Sequence, residues 1–93
     1  MRIVGEIGHP RLKITVFKND GKFSIKFESG LLEQTYKFRD DDRLATVEDV
    51  KKMVDAAFIA DIEDILRGMY TTKMAAMQRN LPQPQENEFD TIV

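Results

Sequence analysis

The chain of 93 residues has no cysteine, no tryptophan, one histidine, three prolines and five glycines. Without cysteine it has no disulfides, no thiol chemistry and no cysteine-based zinc site. The lone histidine, His9, sits between Gly8 and Pro10 and reads as a turn residue. It offers neither a catalytic triad nor a histidine metal cluster. No glycine-rich phosphate loop is present. No window approaches the ~18 apolar residues of a membrane span, and the N-terminus lacks a basic-then-apolar signal pattern. A basic excess is also missing. The formal net charge is −2 and the isoelectric point about 5.4, which argues against strong non-specific nucleic-acid binding. These absences describe a soluble, cytoplasmic, non-enzymatic chain with no cofactor and no metal. At this length the core is modest, so oligomerisation would help it.

Four short strands fill the first part. Residues 3–7, 12–18, 23–27 and 32–38 alternate apolar and polar side chains, with β-branched and aromatic types enriched. Turn signals separate them at Gly8-His9-Pro10, Asn19-Asp20-Gly21 and Ser29-Gly30. A two-residue loop at Asp20-Gly21 pairs Val16 with Ile25 and Ile14 with Phe27, and Asp-Gly suits a type I′ turn. The same rule at Ser29-Gly30 pairs Phe23 with Tyr36 and Phe27 with Leu32. At His9-Pro10 it pairs Ile7 with Leu12 and Ile3 with Val16. The three turns agree on one apolar face, from Ile3 to Phe38, with Gln34 its polar exception.

A charged connector, residues 39–45, precedes Thr46, and Asp49 follows Thr46 at capping-box spacing. The helical pattern then runs to about residue 79, with Gly68 as its one interruption risk. Such a helix would be roughly 50 Å long, against about 20–23 Å for a six- or seven-residue strand. Its second half therefore needs another partner. Val47, Val50, Val54, Ala57, Phe58, Ile65 and Met69 form a sheet-facing stripe. Ile59, Ile62, Leu66, Met69, Lys73 and Ala76 form a second seam with Tyr70 and Met77 beside it, which predicts a homodimer through the helix, its interface at Ile59, Ile62, Leu66, Met69 and Tyr70. The fold class is α+β: a four-stranded antiparallel meander packed by one long C-terminal helix. Residues 1–79 form one domain, and the Pro-, Gln- and acid-rich residues 80–93 a disordered tail. Its end, Thr91-Ile92-Val93, fits the Thr-x-apolar pattern captured by strand addition.

The outer sheet face carries the remaining signal. In this register Lys13 lies between Glu6 and Glu28, and Lys26 beside Glu33, pairs that suit a solvated face. Arg2, Lys22 and Lys37 stay unpaired around Phe17, with Arg39 beyond them. This cluster is a candidate contact for single-stranded nucleic acid. The order of four strands and one long helix resembles Whirly and Pur-alpha type domains, a resemblance of element order over residues 2–79. It implies single-stranded nucleic-acid binding on the sheet. Asp40-Asp41-Asp42 lacks the turn glycine and distal glutamate of a calcium loop. Among the helix acids, Asp61 lies closest to the sheet-facing stripe and is the one expected nearest burial. The first reading is a homodimeric protein-interaction or adaptor module, the alternative a single-strand nucleic-acid binder.

Overall fold

The computed structural model describes residues 1–82. Strands β1 (Arg2–Ile7), β2 (Lys13–Asn19), β3 (Lys22–Ser29) and β4 (Leu32–Arg39) form one antiparallel meander in the order β1-β2-β3-β4. Helices α1 (Val47–Met53) and α2 (Ala56–Asn80) follow. The α+β fold with a long C-terminal helix is as the sequence predicts, except that a short helix precedes the long one.

The central hairpin has the expected register, with Val16 opposite Ile25 and Ile14 opposite Phe27. Its turn is not type I′, which needs positive φ at both central residues. Only Gly21, at φ +69°, is positive. The Gly21 carbonyl accepts from the Asp40 N–H at 2.9 Å, which ties the turn to the end of β4. The next hairpin closes one residue later than predicted. Ser29 pairs with Leu32, so the loop is Gly30-Leu31, with Gly30 at φ +61°. The parity is unchanged and the faces stand. The partners move by two: Phe23 pairs with Phe38 and Phe27 with Gln34.

The first hairpin departs further. Ile7 pairs with Ile14 rather than Leu12, and a bulge between Ile3 and Gly5 places Ile3 opposite Phe17 rather than Val16. One extra residue reverses the faces beyond it. Ile3 is therefore on the outer face, 59% exposed, and Val4 packs on the core. Gly5 permits a close approach: a Cβ there would meet Val47 Cγ1 at 3.2 Å and Lys51 Cε at 3.3 Å, the side chains by which α1 packs on β1. In the loop, His9 Nδ1 accepts from the N–H groups of Arg11 (3.1 Å) and Leu12 (3.2 Å), and Leu12 turns into the core.

Thr46 caps α1 through the predicted capping box. Its Oγ1 accepts from the Asp49 N–H, and Asp49 Oδ2 accepts from the Thr46 N–H. The expected single helix breaks after Met53, at Val54 and Asp55, and then runs through Gly68 without interruption. Asp55 takes extended backbone angles, and its Oδ1 accepts from the Phe58 N–H at 2.8 Å, an N-cap that starts α2 afresh. The break resets the helix phase. At ~100° per residue an unbroken helix would bring Ile65 nearly into line with Val54; instead Ile65 is 47% exposed and Ala57 is exposed. Phe58, Ile62, Leu66 and Met69 face the sheet, with Ile62 and Leu66 buried.

Gln34 finds its partner in this arrangement. Its Nε2 donates to the Ile62 carbonyl at 3.0 Å, and its Oε1 accepts from the Tyr36 hydroxyl at 2.6 Å. A buried amide thus satisfied locates α2 over β4. Phe27, Tyr36 and Phe58 pack edge-to-face around it, with centroids 5.2 to 6.0 Å apart. Replacing Asp55 with Ala removes the cap. The substitution should cost about 0.5–2 kcal/mol in urea-induced unfolding, while Asp55→Ser should restore most of it. An Asp55→Ala variant as stable as the parent would contradict the role given to this residue.

Candidate functional site

The break relocates the predicted dimer seam. Ile62 and Leu66, expected between two chains, are core residues on the chain's own sheet, and Ile59 and Met69 pack partly against that core. Of the five predicted interface residues only Tyr70 is largely free, at 58% exposure. Beyond it α2 continues to Asn80, and Leu81 caps it by donating its N–H to the Met77 carbonyl. Tyr70, Met74, Met77 and Leu81 follow one another at spacings of four, three and four, which places them along one seam. Met77 and Leu81 are exposed and Met74 half-buried. Sequence reasoning missed Met74 and Leu81 because it began the seam at Ile59 and ended the domain at residue 79. The spacing itself was readable.

At the root of this projection lies an open cleft of about 690 Å³ between α2, the start of β2 and the Gly30-Leu31 turn. Leu31, at the tip of the turn, is 89% exposed. Arg11 bridges the cleft mouth: its Nε and Nη2 donate to the two carboxylate oxygens of Glu63 at 2.6 and 3.2 Å. This bidentate contact raises the Arg11 pKa and holds the Glu63 carboxyl below its ordinary value. Arg67 pairs with Asp64 one turn further along. Lys73 takes part in none of the ion pairs among the described residues.

On the outer sheet face the bulge puts Ile3, Phe17, Ser24 and Lys37 in one row. Asn19, Lys22 and Arg39 form the neighbouring row. No acid occupies either strand row. Arg2 pairs with Lys18 instead, on the opposite face from Phe17, so it leaves the predicted cluster. Lys18 reaches Asp40 at 2.7 Å and lies 4.1 Å from the Phe23 ring centroid. Acids gather at the other end of the outer face. Lys13 is opposite Glu28 as expected, but Glu6 is opposite Thr15 and Lys26 opposite Thr35. Lys26 still finds a glutamate, Glu28 of its own strand at 3.7 Å, and its ammonium lies 5.5 Å from the Phe17 ring centroid.

The other candidates resolve locally. Asp41 accepts from the N–H groups of Arg43 and Leu44, bonds that lower its pKa and fold the connector. Asp61, the acid expected nearest burial, is exposed. Among the described residues no three metal-ligating side chains come together and no helix is long and apolar enough to cross a membrane. Thr91, Ile92 and Val93 lie outside the described residues. No protein-family model matches the chain, and no curated protein or solved structure matches it significantly.

Glu63 has its pKa lowered from 4.5, and Asp41 and Asp49 have theirs lowered from 3.8. A depressed carboxylate pKa contributes stability that is present above the unfolded value and lost as pH falls through the folded one. The urea midpoint should therefore decline as pH drops below about 4.5, and Glu63→Gln should flatten the upper part of that decline. An unchanged slope in the variant would remove Glu63 from the account.

Proposed function

We propose that this chain is a small, non-catalytic, cytoplasmic protein-interaction module that forms a homodimer through the projecting part of α2. The observation that carries this reading is the row Tyr70, Met74, Met77 and Leu81, on a helix segment that extends past its own sheet. Apolar positions at alternating spacings of four and three are the pattern by which one helix packs on another. A second copy presents the same row, so a two-fold axis makes the contact self-complementary. Sedimentation velocity of the full chain should give the mass of two chains at tens of micromolar. Tyr70→Glu combined with Met77→Glu should shift it to one chain while leaving unchanged the urea midpoint measured in dilute solution, where the parent too is a single chain. A single-chain mass for the parent at every concentration would defeat the proposal.

One observation favours a second reading. The bulge sets Ile3 beside Phe17 in a half of the outer face whose strand rows carry no acid, with Lys22, Lys37 and Arg39 around them. Such a surface suits single-stranded nucleic acid, with Phe17 stacking a base and the cations meeting phosphates. Three phosphate contacts give a slope of about −2 for log affinity against log salt. In a fluorescence anisotropy titration with a short oligonucleotide, Phe17→Ala should weaken binding by roughly 5- to 150-fold. No binding at low salt would dismiss this reading.

A further inference from the structure

We propose that the outward edge of β4 is a docking strand for an extended segment of another protein, which adds to the sheet antiparallel and carries acids opposite Lys37 and Arg39 and a cation opposite Glu33. This names a surface and a partner chemistry for the protein-interaction reading above and rests on it, but not on self-association. The meander has two edges. β1 is interrupted by the bulge between Ile3 and Gly5, a feature that hinders pairing with a further strand. β4 is eight residues long, with no bulge, glycine or proline. The Asp40 N–H bonds to the Gly21 carbonyl at 2.9 Å, which fixes the alternation along β4. Leu32, Gln34, Tyr36 and Phe38 turn their backbone groups toward β3, and Glu33, Thr35 and Lys37 turn theirs outward. Among the described residues no hydrogen bond reaches these outward groups.

The side chains of the same strand supply the charge. Glu33 stands opposite Glu28, and Arg39 opposite Lys22, like-charge pairs that weaken a sheet. Glu28 has Lys26 at 3.7 Å, but Glu33, Lys37 and Arg39 enter no ion pair among the described residues. All three are exposed, as is Thr35 between them. An incoming strand meets them along its own outer face. Acids opposite Arg39 and Lys37, with a cation opposite Glu33, offset both like-charge pairs at once. A second copy of β4 would bring matching charges, Glu33 against Arg39, but it would also bring its own α2. Gln34 holds the Ile62 carbonyl at 3.0 Å, so α2 lies over β4. Paired strands lie about 4.8 Å apart, whereas packed helices need about 8–10 Å between axes. A segment with no helix above it avoids that collision.

A peptide of sequence Glu-Val-Glu-Val-Thr-Val-Lys-Val, blocked at both ends, tests this on the full-length protein. In antiparallel register its first and third residues face Arg39 and Lys37, and its seventh faces Glu33. Titration followed by amide NMR should show saturable binding, with the Glu33, Thr35 and Lys37 amides newly protected from exchange and those of β1 unchanged. N-methylation of the third and fifth peptide residues, whose N–H groups face β4, should weaken binding roughly tenfold or more. Methylation of the fourth and sixth, whose N–H groups face solvent, should leave it nearly unchanged. Arg39→Glu should weaken binding roughly tenfold, and lysine as the first peptide residue should restore it. No binding at millimolar peptide would overturn the proposal, as would equal loss from both methylation patterns. Binding indifferent to either pattern would overturn it too, because charge alone would then hold the peptide, as it would an oligonucleotide. Protection of these amides without peptide would show the edge already covered and contradict the proposal, and fading of that protection on dilution would assign the edge to a second copy. Sedimentation reports on the α2 dimer alone, so either result can fail without the other.

Discussion

The hydrogen bond from the Phe58 N–H to the Asp55 carboxylate sets the register of everything that follows it. A helix running unbroken from Thr46 would have carried Ile65 toward the sheet. By restarting the helix at Ala56, the Asp55 cap turns Phe58, Ile62, Leu66 and Met69 inward. The Ile62 carbonyl then comes within reach of Gln34, and Glu63 within reach of Arg11. The first contact fixes α2 along β4, and the second ties it to the loop before β2. With both contacts at the end of the sheet where β2 and β4 begin, the remaining length of α2 runs on past the strands, and the cleft opens at the point where it departs.

The two halves of the chain differ in what their sequence reveals. In the sheet, alternation decides which residues share a face, and a shift of two residues leaves that decision intact. The face from Leu12 to Phe38 was therefore legible although two of the three hairpin registers were not. Ile3 failed because a bulge changes parity, and both Ile3 and Val4 are apolar enough to serve either face. Gly5 was the available warning, since a glycine within a strand marks a bulge or a close backbone approach. Here it marks both.

In the helical half the apolar spacing continues smoothly across Val54 and Asp55, so nothing in the periodicity separates one helix from two. Aspartate is common on helix surfaces, and its cap role becomes visible only from backbone angles. The consequence was an exchange of roles: Ile62 and Leu66 passed from the proposed interface to the core, and Ile65 from the core to the surface. Tyr70, beyond the last sheet contact, kept its place. The capping box at Thr46 and the reach of α2 beyond the sheet were both readable, the first from residue types and the second from length alone.

We propose that α2 has two environments, the first part on its own sheet and the last part against a second copy. Amide hydrogen exchange at two protein concentrations tests this most directly. Amides around Ile62 and Leu66 should exchange slowly at both, as part of the cooperative core. Amides from Met74 to Asn80 should exchange quickly in dilute solution and become protected as concentration rises. Protection of that segment that does not change with concentration would contradict the account, as would rapid exchange at Ile62.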